Sequence, residues 1–442
     1  MGKSSRFWVW GSLCVFWAGP AAAQGVLGDM GGLRTALGND GVTLGITDSE
    51  NLLGDPSGGL KRGATMEGVT TATLEMDTSK AFGWQGGTIH VSALQIHGRS
   101  FSQYYLGDLQ AANGNEGDDA TRLWELWVDQ VFDFGRADVK LGQQSIDNEF
   151  MVSTYSGLFV NTMAGWPLVP SDDLYAGGPA YPLSSLGGRV QYKPADNTTI
   201  LAGVFDDNPP GDAFDNDPQE KDVGGVRFNL NTGALFIAEL QYVTNQPSVG
   251  EMVQPGQAGL AGTYKIGFWY DTAGFADQRF GTDGLSLANP GSNGNPRAHH
   301  GNYSVYGVVD QTVWQAGSRN INVFGRIMGA PDAENLIDFF ANGGVTVTAP
   351  LPGRDNDMAG VDFGIGRVSS RAAGLDADAG LPKRGTEELF EMTYQAQATP
   401  WLVVQPDVQY VVHPGGGVLD PNDPSHQLRN EFVAGVRAIV TF

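Results

Sequence analysis

Basic side chains are scarce: 26 lysines and arginines stand against 49 aspartates and glutamates, a formal charge of -23. A surface that acidic repels a phosphate backbone, so nucleic-acid binding is excluded. Cysteine is rarer still. The one cysteine, Cys14, lies in the N-terminal segment behind Leu13, a residue larger than a lipid-acceptor site takes. Everything after it is free of thiols, which removes disulfides, thiolate metal sites and a cysteine nucleophile. Long apolar runs are missing too. Beyond residue 23 no stretch offers the roughly 18 or more apolar residues of a membrane helix. What is present is 41 % hydrophobic residues and 63 glycines. That is too apolar for a disordered acidic chain, and it suits strands and turns better than long helices.

The first residues read as an export signal. Lys3 and Arg6 precede an apolar stretch from Phe7 to Ala18, and Ala21-Ala22-Ala23 offers small residues for cleavage, so residues 1–23 are assigned as a signal peptide. An exported chain without a helical span is either soluble outside the cytoplasm or a β-barrel. In residues 24–39, Leu27, Met30, Leu33 and Leu37 share one side of a helix, predicting a short helix at the periplasmic mouth. Residues 40–442 form the barrel domain.

Alternation carries the barrel expectation. Phe432, Ala434, Val436, Ala438, Val440 and Phe442 fall on one face, with Glu431, Arg437 and Thr441 on the other. Trp124, Leu126 and Val128 alternate with Glu125, Trp127 and Asp129, and Tyr264, Ile266, Phe268 and Tyr270 alternate with Lys265 and Trp269. Apolar aromatics on one face and full charges on the other fit lipid outside and water inside. The pattern places strands near 40–47, 67–77, 87–98, 121–132, 137–144, 186–193, 198–206, 226–243, 260–271, 301–313, 319–328, 335–349, 357–367, 387–398, 401–411 and 430–442. Tight turns then fall at 133–136, 194–197, 315–318, 350–356 and 398–400, and long loops at 99–120, 207–225, 272–300, 368–386 and 412–429. About sixteen antiparallel strands keep an aqueous channel open.

The longest connection, 145–185, is rich in aromatics. Phe150, Tyr155, Phe159, Trp166, Tyr175 and Tyr181 give it a core of its own, so it is expected to fold inward and narrow the lumen. Asp147, Glu149, Phe150, Phe159 and Trp166 are its constriction candidates, with Asp172 and Asp173 facing water or the opposite wall.

Three runs carry a resemblance: Arg122-Leu-Trp-Glu-Leu-Trp-Val-Asp-Gln130, Lys140-Leu-Gly-Gln-Gln-Ser-Ile-Asp-Asn-Glu-Phe150 and Gly177-Gly-Pro-Ala-Tyr-Pro-Leu183. Gly262-Thr-Tyr-Lys-Ile-Gly-Phe-Trp-Tyr270, Pro352-Gly-Arg-Asp-Asn-Asp357 and Pro400-Trp-Leu-Val-Val-Gln-Pro-Asp-Val-Gln-Tyr410 extend it in order. Together they resemble the carbohydrate-selective porin family of the OprB type. The resemblance implies a sixteen-stranded outer-membrane barrel passing mono- and small oligosaccharides by passive diffusion through a charged and aromatic constriction. The acidic runs Asp206-Asp207 and Asp212 to Asp222 keep a general cation-preferring porin as the rival reading.

Sugar passage needs groups that hydrogen-bond ring hydroxyls and flat apolar surfaces for the sugar face, all binding weakly enough to release. By alternation the lumen candidates are Glu125, Trp127, Asp129, Arg189, Lys193, Arg227, Glu239, Lys265, Trp269, Arg326, Asp407, Gln409 and Arg437. An enzyme is disfavoured. No G-x-S-x-G elbow or H-E-x-x-H helix occurs, His299, His300, His413 and His426 fall in expected loops, and Glu387-Glu388 point to opposite strand faces. No cofactor or metal is expected; the partners are permeating sugars and outer-membrane lipid, with association of barrels left open.

Overall fold

Sixteen runs of alternating side chains pair, each antiparallel to the next, into one closed barrel. The computed structural model describes residues 25–211, 217–245 and 259–442. The expected signal segment and residues 212–216 of the acidic run lie outside the described residues. The first eight strands are β1 (Val42–Ser57), β2 (Gly63–Asp77), β3 (Gly87–Gly98), β4 (Ala120–Phe132), β5 (Ala137–Gln144), β6 (Ser185–Ala195), β7 (Thr198–Asp206) and β8 (Ala234–Thr244). They continue as β9 (Gly262–Gly281), β10 (Pro296–Ala316), β11 (Arg319–Gly329), β12 (Ile337–Thr348), β13 (Met358–Val368), β14 (Thr386–Thr399) and β15 (Leu402–Val412). A small hairpin, β16 (Leu419–Asp420) and β17 (Asp423–Gln427), stands in the last long loop before β18 (Glu431–Thr441). Pairing of β1 with β18 closes the barrel, which leaves no sheet edge to satisfy in lipid.

Both ends of the described chain meet on the short-turn side. The helix Leu33–Asn39 lies there, and Arg34 donates to the carbonyls of Leu44 (3.0 Å) and Phe442 (2.5 Å), bridging the seam between β1 and β18. Leu33 on the helix and Leu27 in the turn before it remain exposed, and the helix, starting at Leu33, is shorter than the expected spacing of Leu27, Met30, Leu33 and Leu37 implied.

Four expectations need correction. The first strand runs to Ser57, because Glu50, Asn51 and Gly54 pair into the ladders despite their polar or turn-like character. The eighth begins at Ala234, not 226: Asp207 accepts hydrogen bonds from Thr232 Oγ1 (2.6 Å) and Gly233 N (2.7 Å) and holds the chain in an outer loop up to that point. β9 and β10 extend through much of the stretch expected as a loop at 272–300, so His299 and His300 sit on a strand, and His299 Nε2 lies 3.0 Å from Asp277. Trp124 points into the barrel. A bulge pairs Ser92 with Glu125 and Ala93 with Leu123, so Trp124 is an extra residue that lies buried against Val69, Leu94, Ile96 and Tyr181.

Candidate lumen site

The connection 145–184 folds into the barrel and is fastened to the wall opposite its own root. Glu239 on β8 accepts from Met151 N (2.9 Å), Lys265 on β9 donates to Val152 O (2.7 Å), and Asp310 on β10 accepts from Ser153 Oγ (2.5 Å) and Thr154 N (2.8 Å). Arg326 on β11 reaches three carbonyls, those of Met151 (3.4 Å), Gly165 (2.7 Å) and Met163. Farther round, Glu391 on β14 accepts from Val160 N (2.5 Å), Gln409 on β15 accepts from Asn161 Nδ2 (3.0 Å) and Arg437 on β18 donates to Val160 O (3.2 Å). A loop placed inside a barrel exposes peptide groups to a low-dielectric wall, and these side chains satisfy them. Glycine makes the room. A β-carbon on Gly364 of β13 would lie 2.0 Å from Met163 Sδ, and one on Gly366 would lie 2.2 Å from Leu168.

A second loop, 99–119, also turns inward, which the sequence reading did not anticipate. Glu387 accepts from Leu109 N (2.8 Å) and Gln110 N (2.9 Å), Asn113 Nδ2 donates to Glu67 (2.8 Å), and Asn115 Nδ2 donates to Ser49 O (2.8 Å). The two loops are stitched together by Gly114 N to Val160 O (3.1 Å) and Thr162 N to Ala111 O (3.0 Å). Phe101, Tyr105, Leu106 and Leu109 were the available signal, an apolar set like that of the longer loop.

The β3–β6 wall is different: its charged groups face one another. Arg189 on β6 holds Glu149 of the loop through Nε (2.7 Å) and Nη2 (3.0 Å) and pairs with Asp138 on β5. Lys140 on β5 pairs with the same Glu149, and its Nζ sits 4.5 Å from the centre of the Trp127 ring. Trp127 stacks on His90 at 4.7 Å with planes 5° apart, and His90 Nε2 lies 3.8 Å from Glu125. Gln191 Nε2 donates to Asp138 (2.7 Å). Asp129, on the same face of β4, is buried beside them. Lys193 shares a face with Arg189, toward the short-turn end. The Glu149 side chain keeps 23 % of its surface exposed and Glu75, beside His90, keeps 37 %, whereas Arg189 keeps 6 %. The Glu149 carboxylate thus meets solvent while the two cations behind it fix its position.

Among the loop candidates, Phe150 packs in the large core with Trp166, and Phe159 packs against Phe324; all three are buried and line no open space. Asp147 accepts from Ser145 Oγ (2.6 Å) and Tyr181 N (3.0 Å) at the loop root, and burial pushes its pKa up to about 6. Asp173 accepts from Leu336 N (2.9 Å) and Ile337 N (3.1 Å), and burial holds its carboxyl well above the usual carboxylate range. Trp269 faces inward as expected but is wholly buried beneath the loop. Arg227 is corrected outright: it lies exposed in the outer loop before β8, because the strand does not reach it. Asp407 bonds Gln409 (2.9 Å) within the anchoring wall. Asp138, His90, Lys140, Asp310 and Glu391 were not among the lumen candidates, although the same alternation places them there.

A closed barrel with an apolar outside, a charged inside and loops narrowing its lumen defines a bacterial outer-membrane channel of the porin class. The comparisons with known proteins give the particular family. Residues 61–442 match the profile described as "Carbohydrate-selective porin, OprB family". Porin B of Pseudomonas aeruginosa is 26 % identical, over 94 % of this chain and 91 % of its own. A putative porin, QuiX, of Acinetobacter baylyi is 24 % identical over 89 % of each chain. The high-pH structure of Pseudomonas putida OprB superposes with a TM-score of 0.80 at 22 % identity, covering 95 % of this chain and 98 % of that one. The chain belongs to the carbohydrate-selective porin family. It is an outer-membrane porin through which sugars diffuse, and its fold and family are those of a channel rather than an enzyme.

Proposed function

We propose that small neutral sugars pass between the inward loop 145–184 and the β3–β6 wall, with Glu149 as the central contact. The observation that carries this reading is the clamp on Glu149: Arg189 and Lys140 grip the carboxylate from behind while part of it stays open to solvent. A carboxylate held in this way accepts hydrogen bonds from vicinal hydroxyls without moving, and bathing water lets the sugar leave. Glu75 and Gln191 flank the path, and Trp127, whose ring already engages His90 and Lys140, positions the clamp instead of stacking on sugar. Glu239, Lys265, Arg326, Gln409 and Arg437 hold the loop. The β2–β6 wall and loop residue Glu149 together carry Glu67, Glu75, Glu125, Asp129, Asp138 and Glu149 against Arg122, Lys140, Arg189 and Lys193, so cations and neutral sugars are favoured over anionic sugars.

Proteoliposome swelling tests it. Wild-type channels should admit a neutral hexose faster than a uronate of the same size, and Glu149→Gln should slow the hexose and narrow the difference. Unchanged rates for both solutes in Glu149→Gln would place the sugar path elsewhere.

A further inference from the structure

On the long-loop side, the seam between β1 and β18 ends in a group of like charges. Glu431, the first residue of β18, is fully buried on the lumen face, and neither of its carboxylate oxygens meets a donor. The charges acting on it are those of Asp108, Glu387 and Asp55, all of its own sign. Asp55, near the end of β1, is 1 % exposed; its Oδ1 accepts from Ser57 N (2.9 Å), while its Oδ2 is buried without a donor. Asp108, in loop 99–119, is arranged in the same way: Ser102 Oγ lies 3.4 Å from one oxygen, and the other is buried without a donor. Four buried oxygens on three carboxylates are thus left unmatched. Among the described residues no lysine, arginine or histidine forms an ion pair with any of the three. Arg62, exposed in the turn after β1, acts on Asp55 from beyond ion-pair distance.

Other contacts carry these side chains to one place. Glu387 accepts from Leu109 N (2.8 Å), Gln110 N (2.9 Å) and Gly415 N (2.7 Å), so peptide dipoles offset its charge and the two residues after Asp108 are fixed. Val433, next on the inner face of β18, packs with Phe101 and Leu106 of the same loop. Asp108 therefore reaches the seam through contacts that do not involve its own carboxylate. An ionised carboxylate taken out of water with neither donor nor cation is among the costliest groups a fold can bury. Three together call for a counter-charge.

We propose that Asp55, Asp108 and Glu431 bind a calcium ion that fastens loop 99–119 to β1 and β18 at the long-loop end of the seam. Every donor is an oxygen, which selects a hard cation over zinc or copper. Calcium accepts an irregular shell of about six to eight oxygens, whereas magnesium demands a near-ideal octahedron that side chains from three separate segments do not readily make. Water completes the shell. Among the described residues no three of these side chains meet at ligating distance, because like charges spread; Glu431 has the length, and Asp108 the loop, to draw in on the ion. With ligands at 55, 108 and 431, no local sequence motif announces the site.

Calcium itself is the probe. The purified barrel, stripped with a chelator in detergent and checked for folding by its gel shift on boiling, is titrated by equilibrium dialysis at neutral pH. Wild type should bind calcium saturably. Glu431→Gln and Asp108→Asn should each remove one equivalent, and the double variant should remove no more, because both side chains hold the same ion. Asp423→Asn, exposed in the last long loop, should bind as wild type does. If Glu431→Gln does not fold, Asp108→Asn, which lies outside the barrel ladder, carries the test. A second measurement follows the loop: calcium should slow protease cleavage within residues 99–119 at least tenfold in wild type and not in Asp108→Asn. The site is overturned if wild type binds no calcium, which would leave protons as the counter-charge, or if neither variant loses an equivalent. It is equally overturned if Asp423→Asn loses as much as they do, or if cleavage of the wild-type loop is indifferent to calcium.

Discussion

The two sides of the lumen contain similar residues and use them differently. On β8–β18, Glu239, Lys265, Arg326, Glu391 and Arg437 bond to peptide groups of the loop, and Gln409 bonds its Asn161 side chain. On β3–β6, Arg189, Lys140 and Asp138 form ion pairs among themselves and with Glu149 of the loop, and one edge of the group stays wet. A buried charge neutralised by backbone dipoles is a fastening, because its removal leaves several peptide groups unsatisfied. Charges that neutralise each other beside solvent can offer an edge to a passing solute without disturbing the fold. Residue type does not tell the two apart; the partner does.

The comparison breaks most visibly at Arg326. Arg326→Ala leaves the carbonyls of Met151, Met163 and Gly165 without a donor, each a loss of about 1–3 kcal/mol in a buried site. The barrel wall itself loses no ladder bond. Loop 145–184 should leave the lumen, and single-channel conductance in planar bilayers should rise severalfold, with larger sugars admitted. Wild-type conductance in a correctly folded variant would mean that the fastening is redundant.

The charged side should respond in the opposite sense. Glu149→Gln keeps the shape but removes a charge-assisted acceptor, a change of about 1 kcal/mol, or roughly fivefold, in sugar block of ion current. Conductance should change little. A rise in conductance matching that of Arg326→Ala would show that Glu149 is also a fastening and erase the distinction between the walls.

Acidity sharpens the contrast, because burial raises the carboxyls of Asp147, to about 6, and Asp173 above their unfolded values. A carboxyl shifted upward stabilises the seated loop at low pH, fully below the ordinary value of 3.8, and that contribution is lost as pH rises through about 6. Protection factors of the amides of residues 145–184, which divide out the intrinsic pH dependence of exchange, should therefore be a few-fold higher at pH 5 than at pH 8. Asp147→Asn should flatten the profile, since an amide does not titrate. A profile unchanged by that substitution would remove Asp147 from the explanation.

The barrel was legible because alternation is a strict code: a strand between lipid and water must change character at every residue. Strands 87–98, 137–144 and 198–206 were read to the residue for that reason. The code failed where one residue was added or where both faces were covered. At Trp124 the bulge moved a side chain across the wall, and near Gly233 the pattern continued in sequence after pairing had stopped. Inside the lumen, alternation told which side a residue faces and nothing about its partner, so Arg326 and Arg189 looked equivalent. The glycines at 360, 364 and 366 were a readable sign of close approach, since a polar lumen face has little other use for three at alternate positions.

Arg227 gives the smallest expected effect. Alternation carried across Asn231-Thr232-Gly233 put it in the lumen, while its place in the chain is an exposed outer loop where Nη1 lies 3.5 Å from Lys221 O. A side chain in bulk water makes weak, screened contacts, so Arg227→Ala should leave hexose flux and conductance within error of wild type. Arg189→Ala, tested beside it, removes the same functional group from the clamp and should lower hexose flux severalfold. If the two variants behaved alike, the position of an arginine relative to the wall would not decide its part in transport, and the distinction between fastening, clamp and bystander would fail together.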